Sequence, residues 1–328
     1  MKTITNTKRE NLTNIVDSFF VVSKEMIPKN GEDSYAFSIN EKCGLMCVFD
    51  GCGGIGSRKY ATYGNKTGAY VASHTAAKSV IAWFDEFNTE GGVVSGNSIK
   101  KICADLREKF TKELKTLESG TETSMIKGSL ATKSFPTTAS MTLFKSENSR
   151  LYTAFVWAGD SRGFILTPKG LSQITKDDID EGEDAYTNLS SDGRLTNVIA
   201  SDGAFNLNSR IMNCPQESII ITATDGCFGY FQSPMEFEYM LLDTLLSSRS
   251  IAEWKKNLHE AYSRVAGDDF TMGAIVCGFN SFRNLKKAFF NRKEQLYKDY
   301  IARMQDATEE EKRRMWEMYK REYYRSGK

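Results

Sequence analysis

Leu45-Met46-Cys47-Val48-Phe49 is an unbroken apolar run that stops at Asp50, and four glycines follow within residues 51–56. A buried strand that ends on a carboxylate and opens into a glycine-rich turn sets a negative charge at a sheet edge. Glycines there let backbone groups come close to a bound ion or phosphate. A glycine cluster alone marks only a turn. The stretch gains meaning from Gly159-Asp160, Asp225-Gly226 and Gly267-Asp268, each of which sets an aspartate beside a glycine at the end of a β-rich segment. Glu32-Asp33 opens another such segment. Several antiparallel strands that deliver carboxylates to one edge need a cation to offset their repulsion. All-oxygen donors select hard ions such as Mg²⁺ or Mn²⁺. Two such ions about 3.5–4 Å apart can clamp a phosphate and activate a bridging water.

The spacing predicts strands at Phe19–Val22, Ser34–Ile39, Leu45–Asp50, Thr138–Phe144, Leu151–Trp157, Gly163–Leu166, Ser218–Ala223 and Phe270–Phe279. A long helix is expected over Tyr60–Phe84, with Tyr63, Thr67, Tyr70, His74, Ala77, Ile81 and Phe84 on one face. His74 on that stripe reads as a structural histidine. Further helices are expected at Ser98–Leu117, Pro234–Leu246 and Ile251–Val265. Residues 119–136 read as a Ser/Thr/Gly-rich loop. Residues 175–210 are polar and acidic, with Asp177, Asp178, Asp180, Glu181, Glu183 and Asp184, and show no clear period. A stretch of that length without structure of its own is usually functional or locally disordered.

The 328 residues are 40% hydrophobic and 26% charged, enough to bury a sizeable core. A net charge of +1 makes no case for a nucleic-acid or membrane partner, and no run of about 20 apolar residues is present. Seven cysteines without a Cys-x-x-Cys pair, and only two histidines, argue against a zinc site. They read as reduced thiols in a cytoplasmic protein.

The ordered set Gly31-Glu32-Asp33-Ser34, Val48-Phe49-Asp50-Gly51-Cys52-Gly53-Gly54, Thr137-Thr138-Ala139, Ala158-Gly159-Asp160-Ser161-Arg162, Leu195-Thr196-Asn197, Ala223-Thr224-Asp225-Gly226 and Asp268-Asp269-Phe270-Thr271 resembles the metal-dependent protein phosphatases of the type 2C serine/threonine class. The resemblance implies an α+β fold, a four-layer α-β-β-α sandwich of two antiparallel sheets flanked by helices, over residues 17–280. It implies two Mn²⁺ or Mg²⁺ ions and hydrolysis of phosphoserine and phosphothreonine on protein substrates. By the same resemblance Asp50 bridges both metals, Gly51 supplies a carbonyl, Asp225 and Asp268 ligate one metal, and Glu32 holds a metal-bound water. Asp160 matches a position that can serve a third, looser ion. The stretch after Thr175 matches the family's flap beside the substrate cleft. Two departures stand out. Pro28 occupies the place of the phosphate-binding arginine four residues before Glu32, and Cys52 follows Asp50-Gly51 where many members have histidine. Arg58 is the first choice to replace the arginine, with Lys24 and Lys29 as alternatives.

Rival patterns are weaker. Gly51-x-Gly53-x-x-Gly56 satisfies a dinucleotide fingerprint, but no acid occurs between Asp50 and Asp85 to meet a ribose. Cys52-x5-Arg58 has the spacing of a cysteine phosphatase loop, but leaves the strand-end carboxylates without a role. A catalytically impaired member acting as a binding or scaffold module is the alternative from another class. Residues 1–16 form a polar N-terminal segment. Residues 281–328 carry 14 lysines and arginines against eight acids. They form charged, aromatic-rich helices expected over Leu285–Met304 and Thr308–Tyr324, either packed on the domain or free as an arm that docks a partner. On this reading the extension is dispensable for hydrolysis of a small substrate.

Overall fold

The computed structural model describes residues 12–119, 133–147, 150–180, 184–189, 193–304 and 306–324. Most of the 1–16 segment, most of the 119–136 loop, and Glu181 and Glu183 lie outside the described residues.

The elements run β1 (Val16–Lys24), β2 (Asp33–Ile39), β3 (Cys43–Asp50), a short β4 (Lys59–Tyr60) and β5 (Lys66–Thr67), α1 (Gly68–Thr89), α2 (Ile99–Ser119), β6 (Ala139–Glu147), β7 (Arg150–Ala158), β8 (Arg162–Thr167), β9 (Gly170–Gln173), β10 (Asn208–Asn213), β11 (Ser218–Ala223), α3 (Pro234–Ser247), α4 (Ile251–Val265), β12 (Phe270–Cys277), α5 (Phe282–Leu296), a π-helical turn (Tyr297–Ile301), α6 (Ala302–Met304) and α7 (Glu309–Tyr323). Two five-stranded antiparallel sheets form, in the orders β1-β12-β11-β8-β9 and β10-β7-β6-β3-β2.

Period-two alternation builds the layers. On β3, Leu45, Cys47 and Phe49 pack under α1 and α2, while Met46 points into the space between the sheets. On β11 and β12, Ile219, Ile221, Met272 and Ala274 face the second helical layer, while Ile220 and Ile275 meet Met46 and Phe155 between the sheets. Strands buried on both faces read as continuous apolar runs, which is why β3, β11 and β12 were plain in the sequence. The expected α-β-β-α sandwich is the observed one.

Three elements differ from expectation. Helix α1 starts at Gly68, not Tyr60. Gly64 and Asn65 take left-handed backbone angles (φ 66° and 60°) in the turn between β4 and β5, and the Thr67 hydroxyl then caps the helix by accepting from Tyr70 N at 3.1 Å. The buried face of α1 is accordingly Ala69, Ala72, Ala76, Val80, Trp83 and Phe84. His74 sits at its margin, stacked on Tyr70 with ring centroids 3.9 Å apart. Strands β9 and β10 were not anticipated. Each is an edge strand, and polar residues such as Asn208, Arg210 and Asn213 on β10 hide the alternation.

The C-terminal helices belong to the core. Leu285, Phe289, Leu296, Met304, Met315, Trp316, Tyr319 and Tyr323 share one buried cluster with α3, α4 and the outer face of the β1-β12-β11-β8-β9 sheet. The aromatic face that the sequence offered as a docking arm is spent inside the chain. No helix among the described residues is long and apolar enough to cross a membrane.

Candidate functional site

Five separate segments bring carboxylates to one end of the sandwich. Glu32 precedes β2, Asp50 ends β3, Asp160 sits in the β7–β8 turn, Asp225 follows β11, and Asp268-Asp269 precede β12. All six line one cavity of about 410 Å³ with Gly51, Cys52, Gly53, Thr138, Gly193, Arg194 and Leu195. The backbone fixes them. Asp50 O accepts from Thr138 N (2.7 Å) and from the Thr137 hydroxyl (2.8 Å), and Gly51 N donates to Glu32 O (3.0 Å). Gly159 turns the chain into Asp160 at φ +90°, where a side chain would be strained and would also strike Thr138. Gly226 lies so close to the Asp269 carbonyl that a Cβ there would force the two loops apart. The glycines beside the aspartates are therefore what lets these strand ends converge.

The electrostatics are those of an unneutralised cluster. Asp33 lies directly across from Asp50 in the β2–β3 register, an unfavourable placement for like charges. Burial first, and then Asp225, Asp33 and Asp160, push the Asp50 carboxyl well above the usual carboxylate range, and it lies within hydrogen-bond reach of Asp225. Burial, with Asp225 and Asp177 behind it, pushes Asp160 up to about 8. Glu32 and Asp268 are raised as well, burial again leading. Asp33 is raised by burial although the Thr224 hydroxyl donates to it at 2.8 Å. Asp160 Oδ1 is buried without a hydrogen-bond partner. Among the described residues the close ion pairs lie elsewhere, such as Arg162–Asp177 and Arg292–Glu238.

An all-oxygen donor set with an orphaned buried oxygen fits a hard divalent cation. Among the described residues, however, no three of these groups stand ready-arranged around an ion. Several are turned to local donors. Glu32 accepts from the Thr67 hydroxyl, and Asp269 accepts from Met26 N and Glu32 N, both at 2.6 Å.

Residues 29–262 match the family model described as protein phosphatase 2C. The chain belongs to the protein phosphatase 2C family. This is a family of serine/threonine phosphatases, and the chain is an enzyme of that class by membership. No curated protein matches it at a significant level. Among solved structures it is similar to the serine/threonine phosphatase Stp1 of Staphylococcus aureus, at 14% identity and TM-score 0.59, over 80% of this chain and 94% of that one. It is similar to the catalytic domain of PstP, solved with two manganese ions, at 20% identity and TM-score 0.51, over 80% and 98%. A third likeness is to MsPP of Mycobacterium smegmatis, solved with cacodylate, at 15% identity and TM-score 0.54, over 80% and 98%. At these identities the likeness establishes the fold.

Set beside the phosphatase 2C motifs, the structure gathers Glu32, Asp50, Gly51, Asp160, Asp225 and Asp268 around one cavity. It places Arg58 elsewhere. That side chain is exposed, its guanidinium lies over the Tyr60 ring at 5.2 Å, and it does not line the cavity. Three other cationic positions border the site, Arg194 in the carboxylate cavity and Lys59 and Lys66 in an adjoining cleft. Lys66 lines an adjoining cleft with Glu32, Asp268 and Asp269, and its ammonium reaches Asn30 Oδ1 at 2.8 Å, beside the turn that holds Pro28. Arg194 stands one residue before the quoted Leu195-Thr196-Asn197, and only the fold shows which way that loop returns. Asp269, next to Asp268, also lines the cavity.

A phosphatase 2C chain stripped of divalent ions with EDTA should gain thermal stability as pH falls from 8.5 to 6.5. The sign follows from linkage: carboxyls with raised native pKa bind more protons folded than unfolded, so stability is lost as pH rises through the native value, about 8 for Asp160. Each such group contributes at most about 1.4 kcal/mol per pH unit in that window. Calorimetry at the two pH values with EDTA, and again with excess Mn²⁺, checks this. A melting temperature that rises toward pH 8.5 in EDTA would show that the cluster is already neutralised by the protein.

Proposed function

We propose that the chain hydrolyses phosphoserine and phosphothreonine on protein substrates at the carboxylate cavity. The observation that carries this reading is the convergence of six carboxylates from five chain segments on one cavity of about 410 Å³. Asp50, Asp225, Asp268, Asp269, Glu32 and Asp160, with the Gly51 carbonyl, are the groups that would hold Mn²⁺ or Mg²⁺. When bound, such ions supply Lewis acidity toward phosphoryl oxygens and toward water.

The chain's own residues do the remainder. The Arg194 guanidinium at the cavity can take two phosphate oxygens in a bidentate fashion and orient the ester. Lys66, a point charge in the adjoining cleft, is a second cation. The Cys52 thiol is disfavoured as a nucleophile. Burial and then Asp50, Asp160 and Asp225 push its thiol well above the usual range, so the reactive thiolate is suppressed. All seven cysteines are unpaired, in keeping with a reducing, cytoplasmic setting.

The test is hydrolysis of a phosphothreonine peptide by the purified protein. Turnover is expected with Mn²⁺ or Mg²⁺ and is expected to cease with chelator. Arg194→Ala should raise KM about tenfold, of the order of one charge-assisted hydrogen bond, with Mn²⁺ affinity unchanged. Arg58→Ala should have little effect. If Arg58→Ala or Lys66→Ala alone raises KM, the phosphate-binding role passes to that residue. Failure of the folded, Mn²⁺-loaded protein to turn over would leave the scaffold reading.

A further inference from the structure

Helix α7 lies outside the residues that match the family model, yet it grips residues 184–189. Trp316 Nε1 donates to Asp184 Oδ2 at 2.8 Å, and Ala185 N donates to the Tyr324 hydroxyl at 2.7 Å. The Tyr186 ring stacks on Trp316 at 5.9 Å and 22°, and Lys320 Nζ stands 3.7 Å from Asp184. The other Asp184 oxygen accepts from Tyr186 N, Thr187 N and the Thr187 hydroxyl, which folds residues 184–189 into a compact turn. Ala185 is buried in the same cluster as Trp316 and Tyr323. A polar segment between two strands would ordinarily open locally at little cost. Here it is seated on an aromatic helix face.

From this seat a bonded path of described residues leads to the cavity. Asn188 Nδ2 donates to Asp177 Oδ2 at 3.1 Å. Asp177 holds the buried Arg162 through bonds of 2.6 and 3.0 Å, and Gln173 Nε2 donates to it at 3.1 Å. Tyr323 of α7 donates to the Gln173 side-chain oxygen at 3.0 Å, so the helix reaches Asp177 by a second route. Residues after Asp177 then pair with the returning chain: Asp180 N donates to Arg194 O at 2.8 Å, and Thr196 N donates to Asp178 O at 2.9 Å. That returning chain, Gly193-Arg194-Leu195, is part of the cavity wall.

We propose that α7 is an intramolecular anchor for residues 184–189 and, through Asp177, for the wall that carries Arg194, so that the C-terminal helix sets affinity for phosphoprotein substrates. Its residues are positioning residues and touch no reacting atom. The proposal rests on the phosphatase reading for its kinetic consequence, while the anchoring itself stands on geometry alone. Loosening that wall would weaken the hold of Arg194 on the phosphate of any ester, and most for a peptide, which has more chain to lay against the same loop.

The experiment compares wild type with Asp184→Ala and with the double variant Trp316→Phe/Tyr324→Phe, which keeps an aromatic ring at both positions, with a smaller ring at 316, and removes two hydrogen bonds. Amide hydrogen exchange at residues 184–189 and 193–196 is expected to quicken about tenfold or more, as loss of two hydrogen bonds allows. At saturating Mn²⁺ the KM for a phosphothreonine peptide is expected to rise about fivefold, with kcat for an aryl phosphate within about twofold of wild type. Unchanged exchange in both variants would overturn the anchor. Faster exchange with an unchanged peptide KM would overturn its link to substrate. If wild type turns over neither substrate, the phosphatase reading has failed, and the exchange data alone decide whether α7 anchors the wall.

Discussion

Asp50→Asn is expected to cut phosphatase turnover by about 10²-fold or more while leaving the chain folded and, without metal, slightly more stable. The two effects have one cause. Asp50 sits against Asp225, Asp33 and Asp160, and after burial their charges are what raise its carboxyl. An amide of the same shape removes that repulsion. Its carbonyl remains held by Thr138 N and the Thr137 hydroxyl, so the strand end keeps its place. The charge that attracts divalent ions is lost with the repulsion. Wild type should gain about 2.7 kcal/mol of stability at a 100-fold excess of Mn²⁺ over its Kd. Asp50→Asn should lose most of that gain, whereas Asp268→Asn, at the more exposed rim, should recover part of it at higher Mn²⁺. Melting curves with EDTA and across a Mn²⁺ series, run beside turnover assays, give all three quantities. Wild-type turnover in Asp50→Asn would falsify the assignment and reduce the stretch around Asp50 to a turn.

Arg292→Ala is expected to be the most destabilising of these changes outside the site, at about 3–5 kcal/mol, because it strands a buried carboxylate. Arg292 of α5 and Glu238 of α3 are 3% and 0% exposed at the side chain, and they bond at 2.7 and 2.9 Å. Tyr319 of α7 donates to the same Glu238 oxygen at 2.6 Å, and Arg292 also reaches Glu322 at 3.3 Å. One buried pair thus joins three helices. Without the guanidinium, Glu238 keeps one hydroxyl donor inside an aromatic cluster. Glu238→Gln combined with Arg292→Met should recover much of the loss, since an uncharged pair has no ion to desolvate. Thermal or urea melts of the single and double variants decide it, and a melting temperature for Arg292→Ala close to wild type would sink the idea. The same packing changes the expectation for the extension. Deleting residues 283–328 removes Phe289, Trp316, Tyr319 and Tyr323 from a shared core, so the truncated chain should aggregate rather than persist as a dispensably trimmed phosphatase.

The amino-acid sequence by itself determined the sandwich and which carboxylates stand at the ends of its strands. Strands such as β3, β11 and β12 are buried on both faces, so each is a continuous apolar run, and an aspartate lies at or within two residues of one of its ends. Glycines beside Asp50, Asp160, Asp225 and Asp268 were legible for the same local reason, and Gly226 shows their use in its close approach to Asp269. The start of α1 was misplaced because a three-and-four spacing runs through Tyr63 and Thr67, while the left-handed Gly64-Asn65 turn interrupts the helix. Edge strands β9 and β10 carry polar residues and leave no period to read. What only the tertiary structure decided were relations between residues far apart in the chain. Arg194 rather than Arg58 lines the cavity, because a returning loop brings the one in, while the other lies over a neighbouring tyrosine ring. The charged C-terminal helices look solvated in sequence, but Arg292 finds Glu238 and Trp316 finds Asp184. Local pattern encodes which face of an element is apolar. It does not encode which distant partner will neutralise a charge or satisfy a donor, since that depends on distances set only when the layers close.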